Sequence, residues 1–111
     1  MNKEIAWFLG FLLSDGSIIR PTYRGKGNEQ HISFCIHYKD KEVLYKIKDI
    51  LHTRAKVHIY PNYKSPQAKI EIYDRKDIEK EFYDIKEHVP VEKIKGYERH
   101  FIRGLIDGDG C

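Results

Sequence analysis

The chain is short of residues that staple a fold or cross a membrane. Of its 111 residues, only Cys35 and Cys111 are cysteines. They fit no metal or redox spacing, so no disulfide framework is expected. A reducing intracellular compartment is, whether cytoplasm or, depending on host, nucleus or organelle. Long apolar runs are also missing. Ile5 to Leu13 is well below the ~20 residues a bilayer span needs. Asp15 follows it closely, Glu4 spoils a basic flank, and no small-residue cleavage site appears, which argues against a secretory signal. The run is expected to be a helix buried by protein. Charge of one sign is lacking too. The 20 Lys+Arg against 17 Asp+Glu leave +3, so bulk charge does not establish a nucleic-acid partner. An apolar fraction of 41% argues against disorder, and a chain of this length buries a core as one modest domain.

What the sequence does have is a repeat. Phe8-Leu-Gly-Phe-Leu-Leu-Ser-Asp-Gly16 and Ile102-Arg-Gly-Leu-Ile-Asp-Gly-Asp-Gly110 share one pattern: an apolar helical turn, a glycine third, and Asp-Gly at the end. Ala6, Gly10 and Ser14 recur every four residues, as do Gly104 and Gly108. Such small-residue stripes let two helices approach closely. The flanking Phe8, Phe11, Leu12, Leu105 and Ile106 add apolar burial. A mid-helix glycine costs about 1 kcal/mol relative to alanine, so the same motif position occupied twice by glycine implies a packing reason. Asp15 and Asp109 then sit at helix C-terminal ends, where the helix dipole disfavours an acid. If the helices pair, the two carboxylates converge as hard oxygen ligands suited to Mg²⁺, with Ser14 and Gly108 as flanking candidates. That arrangement serves phosphodiester hydrolysis.

Between the repeats the pattern alternates. Asn2 is expected to cap a helix running to about Ser14. A strand follows from Ser17 to Tyr23, with Pro21 at an edge or bulge, then a basic hairpin loop at 24–28. Ile32, Phe34 and Ile36 point one way and His31, Ser33, Cys35 and His37 the other. Asp40 is expected to cap a helix bearing Val43, Leu44, Ile47, Ile50 and Leu51. Strands at 56–60 and 69–73 turn Val57, Ile59, Ile70 and Ile72 inward. Asp74 should cap a third helix carrying Ile78, Phe82 and Ile85, broken at Val89-Pro90. A last helix starts near Gly96 or Tyr97. Four strands in two hairpins make an antiparallel sheet with one face covered by helices.

Both nonapeptides resemble the LAGLIDADG motif of the homing endonucleases, and the helix–strand order matches that family's repeat. The second copy departs only at small-residue positions and at Arg103. The first has Leu13 where the family often has an acid. The resemblance covers essentially the whole chain. It implies an α+β fold: an αββαββα repeat with a four-stranded antiparallel saddle sheet over residues 1–95, then the motif helix of a second, otherwise absent repeat over 96–111. It implies a site-specific double-strand DNA endonuclease hydrolysing phosphodiester bonds with Mg²⁺, Mn²⁺ or Ca²⁺ substituting in binding. Asp15 and Asp109, the penultimate motif residues, would be the catalytic metal ligands. A basic residue near the metals would be Lys93 or Lys95. His88 and His100 have no ligand spacing.

The same resemblance implies a sheet lying in the DNA major groove. The outward set is Ser17, Ile19 and Tyr23 from the first strand, then His31, Ser33, Cys35 and His37. Lys56, His58 and Tyr60 follow, with Lys69, Glu71 and Tyr73 from the fourth strand. These would meet base edges and phosphates, and Arg20, Arg24 and Lys26 would meet phosphates at the margin. A single sheet reads half a site. The implied partner is therefore a second half, on another chain or a downstream segment, or a second copy through self-association. Intron- and intein-borne settings both stay open. The alternative reading is a non-catalytic DNA- or RNA-binding module on the same scaffold, a transcription regulator or intron maturase, which would not require both acids.

Overall fold

A computed structural model of the chain describes residues 1–20, 29–62 and 64–109. The elements run α1 (Lys3–Asp15), β1 (Gly16–Ile19), β2 (His31–His37), a 3₁₀ turn (Tyr38–Asp40) and α2 (Glu42–Leu51), followed by β3 (Val57–Tyr60), β4 (Gln67–Ile72), α3 (Lys76–Phe82) and α4 (Glu98–Gly108). The strands form one sheet in the order β1-β2-β4-β3, every neighbouring pair antiparallel. This is the expected α+β arrangement.

The period-two pattern of the strands decides which face is covered. Ile32 and Phe34 of β2 and Ala68, Ile70 and Ile72 of β4 are buried. They meet Phe8, Leu9 and Leu12 of α1 and Leu44, Ile47 and Leu51 of α2 in one core. The Phe8 and Phe34 rings meet edge-on with centroids 5.9 Å apart. Gly16 ends α1 in extended backbone. A Cβ there would lie 2.5 Å from the Phe34 ring, so close approach of that ring requires the glycine. Asn2 caps α1 as expected, its Oδ1 accepting from Ile5 N at 2.8 Å.

Several local expectations are corrected. Asp40 lies in the 3₁₀ turn and Lys41 takes the N-cap of α2, with no side-chain cap. Asp74 does not cap α3. Its carboxylate accepts from Thr53 Oγ1 and, at 2.9 Å, from Arg54 N, fastening the segment between α2 and β3. A short acidic side chain satisfies whichever orphan donor lies nearest, and here tertiary structure supplies it. β1 stops at Ile19, while Pro21 and Tyr23 lie outside the described residues. α3 stops at Phe82, well before Val89-Pro90, yet Ile85 still reaches the core from the following turns. Ile59, expected inward, is 37% exposed on β3, an edge strand.

Candidate functional site

The site begins with a close crossing of α1 and α4. A Cβ on Gly10 would lie 2.0 Å from the Phe101 carbonyl oxygen, and one on Gly104 would lie 2.0 Å from the Trp7 carbonyl oxygen. Trp7 and Phe101 stand at the same place relative to the two motifs, so the contacts are reciprocal and the helices cross as near-symmetric partners. Neither glycine can be replaced without moving backbone. The crossing continues to the C-terminal ends. A Cβ on Gly108 would fall 1.7 Å from Ser14 Oγ and 3.4 Å from the Asp15 Cβ. Ser14 Oγ itself donates to the Gly10 and Phe11 carbonyls, at 3.1 and 3.2 Å. Ala6 is fully buried on the same stripe.

This geometry delivers Asp15 and Asp109 to one end of the helix pair. Crowding there is electrostatic as well as steric. Loss of hydration raises the Asp15 pKa above the ordinary carboxylate value; Lys86 pulls it down, while Asp109 and Asp40 push it up. Asp15 and Asp109 thus stand at two helix C-termini with Asp40 within electrostatic reach, an excess of negative charge that Lys86 offsets only in part. Among the described residues no group of three or more His, Cys, Asp or Glu side chains converges on one point. Asp15 and Asp109 are the two motif carboxylates that this end could offer a cation. A cleft of about 600 Å³ opens beside them, with Asp15, Asp107 and Gly108 on one side and His37, Asp40 and Gln67 among its other walls.

Two residues that motif spacing did not single out help build this end. Asp107 Oδ2 accepts from Trp7 Nε1 at 2.8 Å, and its Oδ1 accepts from Arg103 Nε at 3.1 Å. The bond to Trp7 ties α4 to α1 and holds their relative slide. Lys46 Nζ lies 3.8 Å from the centroid of the Trp7 ring. Lys86 Nζ donates to the Leu13 carbonyl at 2.8 Å, one residue from Ser14 and beside Asp15. Lys93 pairs with Glu81 at 3.2 Å and lies over the Phe82 ring, and Lys95 is exposed just before α4. Asp107 is legible only as the acid whose counterpart in the first motif is Leu13. Lys86 carries no sequence signal at all.

The uncovered sheet face extends away from this end. Cross-strand rows follow from the register. Ser33 pairs with Ser17 on one side and Glu71 on the other; Lys69 lies between Cys35 and His58; Gln67 lies between His37 and Tyr60; Ile19 pairs with His31. Gln67, absent from the expected set, fills the gap in its row and approaches Cys35 Sγ at 3.5 Å. His31 is on this face yet only 6% exposed, because Tyr73 stacks on it at 4.5 Å. Lys56 is exposed just ahead of β3. Arg20 lies at the margin, 5.3 Å over the Tyr83 ring. Tyr23, Arg24 and Lys26 lie outside the described residues.

No protein-family model matches the chain, and no curated protein does. Solved structures do. The LAGLIDADG meganuclease I-AabMI, solved bound to uncleaved DNA, matches 99% of this chain at 23% identity with a TM-score of 0.51. The LAGLIDADG homing endonuclease I-LtrWI, solved bound to target DNA, matches 96% of it at 18% identity with a TM-score of 0.49. The chain spans 38% and 42% of their respective lengths. With the glycine-notched helix pair and the four-stranded antiparallel sheet, the first likeness assigns this chain the LAGLIDADG homing-endonuclease fold.

Proposed function

We propose that this chain is one repeat, plus the motif helix of a second, of a site-specific double-strand DNA endonuclease of homing type. The observation that carries the reading is the convergence of Asp15 and Asp109 at the joined ends of α1 and α4. Asp15 and Asp109 would hold divalent metal, with Ser14 and Gly108 shaping the narrow space between the helices. Bound Mg²⁺ would polarise the scissile phosphate and activate water. Lys86 keeps a cationic group next to Asp15, where charge builds on the phosphate. The polar sheet face would carry the DNA, with base edges met by its central rows and phosphates by lysines and arginines at its margins.

The need for a second half lies in α4 itself. Ile102 and Ile106 occupy the motif positions of Phe8 and Leu12, which are fully buried under the sheet, yet they are 52% and 49% exposed. The occupant that fits is a second sheet of the same kind, on a further segment or another polypeptide. A Mg²⁺-dependent cleavage assay on a duplex library, with and without a second half, tests the proposal. Asp15→Asn and Asp109→Asn should abolish cutting and leave DNA binding largely intact. Variants that cut as well as the parent chain would remove the metal assignment.

A further inference from the structure

We infer that Glu71 is a specificity-determining residue that accepts a hydrogen bond from the exocyclic amino group of a cytosine. The inference rests on the reading that the open sheet face meets DNA. Glu71 stands on β4, an interior strand, in the row of Ser33 and Ser17. A carboxylate at that place repels phosphate and can only accept, so any base group it meets must be a donor. In the major groove the donors are cytosine N4 and adenine N6. Adenine sets its N7 acceptor beside N6, which faces a carboxylate with a second repelling atom. Cytosine presents N4 with no acceptor on the same base edge.

The carboxylate is held for that task. Its Oε2 receives His31 Nε2 at 3.0 Å and the Tyr73 hydroxyl at 3.3 Å. Among the described residues its Oε1 faces Lys69 Nζ, at 3.4 Å. The His31 ring is fixed in turn, with Nδ1 2.9 Å from the Glu29 carbonyl oxygen and one face covered by Tyr73. Both ring nitrogens therefore face acceptors, which fixes the orientation of the ring beside Glu71. One oxygen is thus anchored from below, while the other keeps acceptor capacity toward solvent, the side chain being a third exposed. Desolvation works to raise the Glu71 pKa, but Lys69, His31 and Tyr73 together outweigh it, so the group stays below its ordinary value and ionised.

The test is selection of bound duplexes from a randomised library by the full chain in Ca²⁺, followed by the same selection with Glu71→Gln. The amide keeps the shape but brings a donor as well as an acceptor, which suits adenine. The expected result is a roughly 10-fold or greater loss of cytosine preference at one position, with a turn toward adenine and the other positions unchanged. An unchanged profile, or uniform weakening at every position, would overturn the inference, the second showing that Glu71 only braces His31. If the parent chain enriches no sequence, the DNA-face reading fails and this assignment goes with it.

Discussion

The motif helices α1 and α4 carry the same pattern and meet opposite fates. In α1, every residue from Ala6 to Leu12 is buried, since the helix is sandwiched between the sheet and α4. In α4, only Phe101 and Gly104 are buried, both on the side facing α1. The glycine contacts are nearly identical in the two directions, so the helix–helix interface is complete. What differs is the opposite flank, where Phe8 and Leu12 have a sheet and Ile102 and Ile106 have water. The motif therefore encodes two faces, and this chain satisfies both in only one of its copies.

The comparison breaks most severely at the glycines. Gly10→Leu or Gly104→Leu should cost more than the ~1–3 kcal/mol of ordinary overpacking, because the obstacle is carbonyl backbone. Even Gly10→Ala should destabilise, although alanine gains about 1 kcal/mol in helix propensity. Chemical denaturation measures both, and an unchanged midpoint would rule out the close crossing.

Next come the flanks. Phe8→Ala should cost about 3–5 kcal/mol and Leu12→Ala about 2–5 kcal/mol. Ile102→Ala and Ile106→Ala should each stay within about 0.5 kcal/mol in this chain. Equal costs on both helices would mean that α4 is already covered. With a second half supplied, Ile102→Asp should abolish its association, read by sedimentation.

A smaller effect sharpens a polar difference between the motifs, Leu13 against Asp107. Trp7→Phe removes the donor to Asp107 and leaves a half-buried carboxylate oxygen short of a partner, at a cost of about 1–3 kcal/mol. Cleavage should fall with it, as the relative slide of the two acids loosens.

The smallest concerns charge. Because the Asp15 pKa is raised in the fold, its ionised form is disfavoured there. Its contribution to stability is most favourable below the ordinary carboxylate range and declines as pH rises through that range and the raised folded value. Asp15→Asn should flatten this part of the pH profile and slightly raise Tm without divalent ions. Mg²⁺ should raise the Tm of the parent chain and not that of the variant. A variant stabilised equally by Mg²⁺ would place the ion elsewhere.

Much of this was legible in the residues. Alternation at Ile32, Phe34 and Ile36 identified the covered face, and the matched glycines identified the contact. Caps were misread at Asp40 and Asp74 because a short acid caps whichever donor folding places beside it. Asp107 and Lys86 went unseen because each acts on a neighbour remote in sequence, Trp7 in one case and the end of α1 in the other. No local pattern records such a pairing.

The order of amino acids by itself determined the periodicities, the repeated motif and the acids at its two ends, since these depend only on spacing along the chain. Tertiary structure alone decided that Gly10 lies on Phe101 and Gly104 on Trp7, that Lys86 stands beside Asp15, and that Glu71 is pinned by His31. Those relations exist only once burial of the core has fixed which distant segments touch.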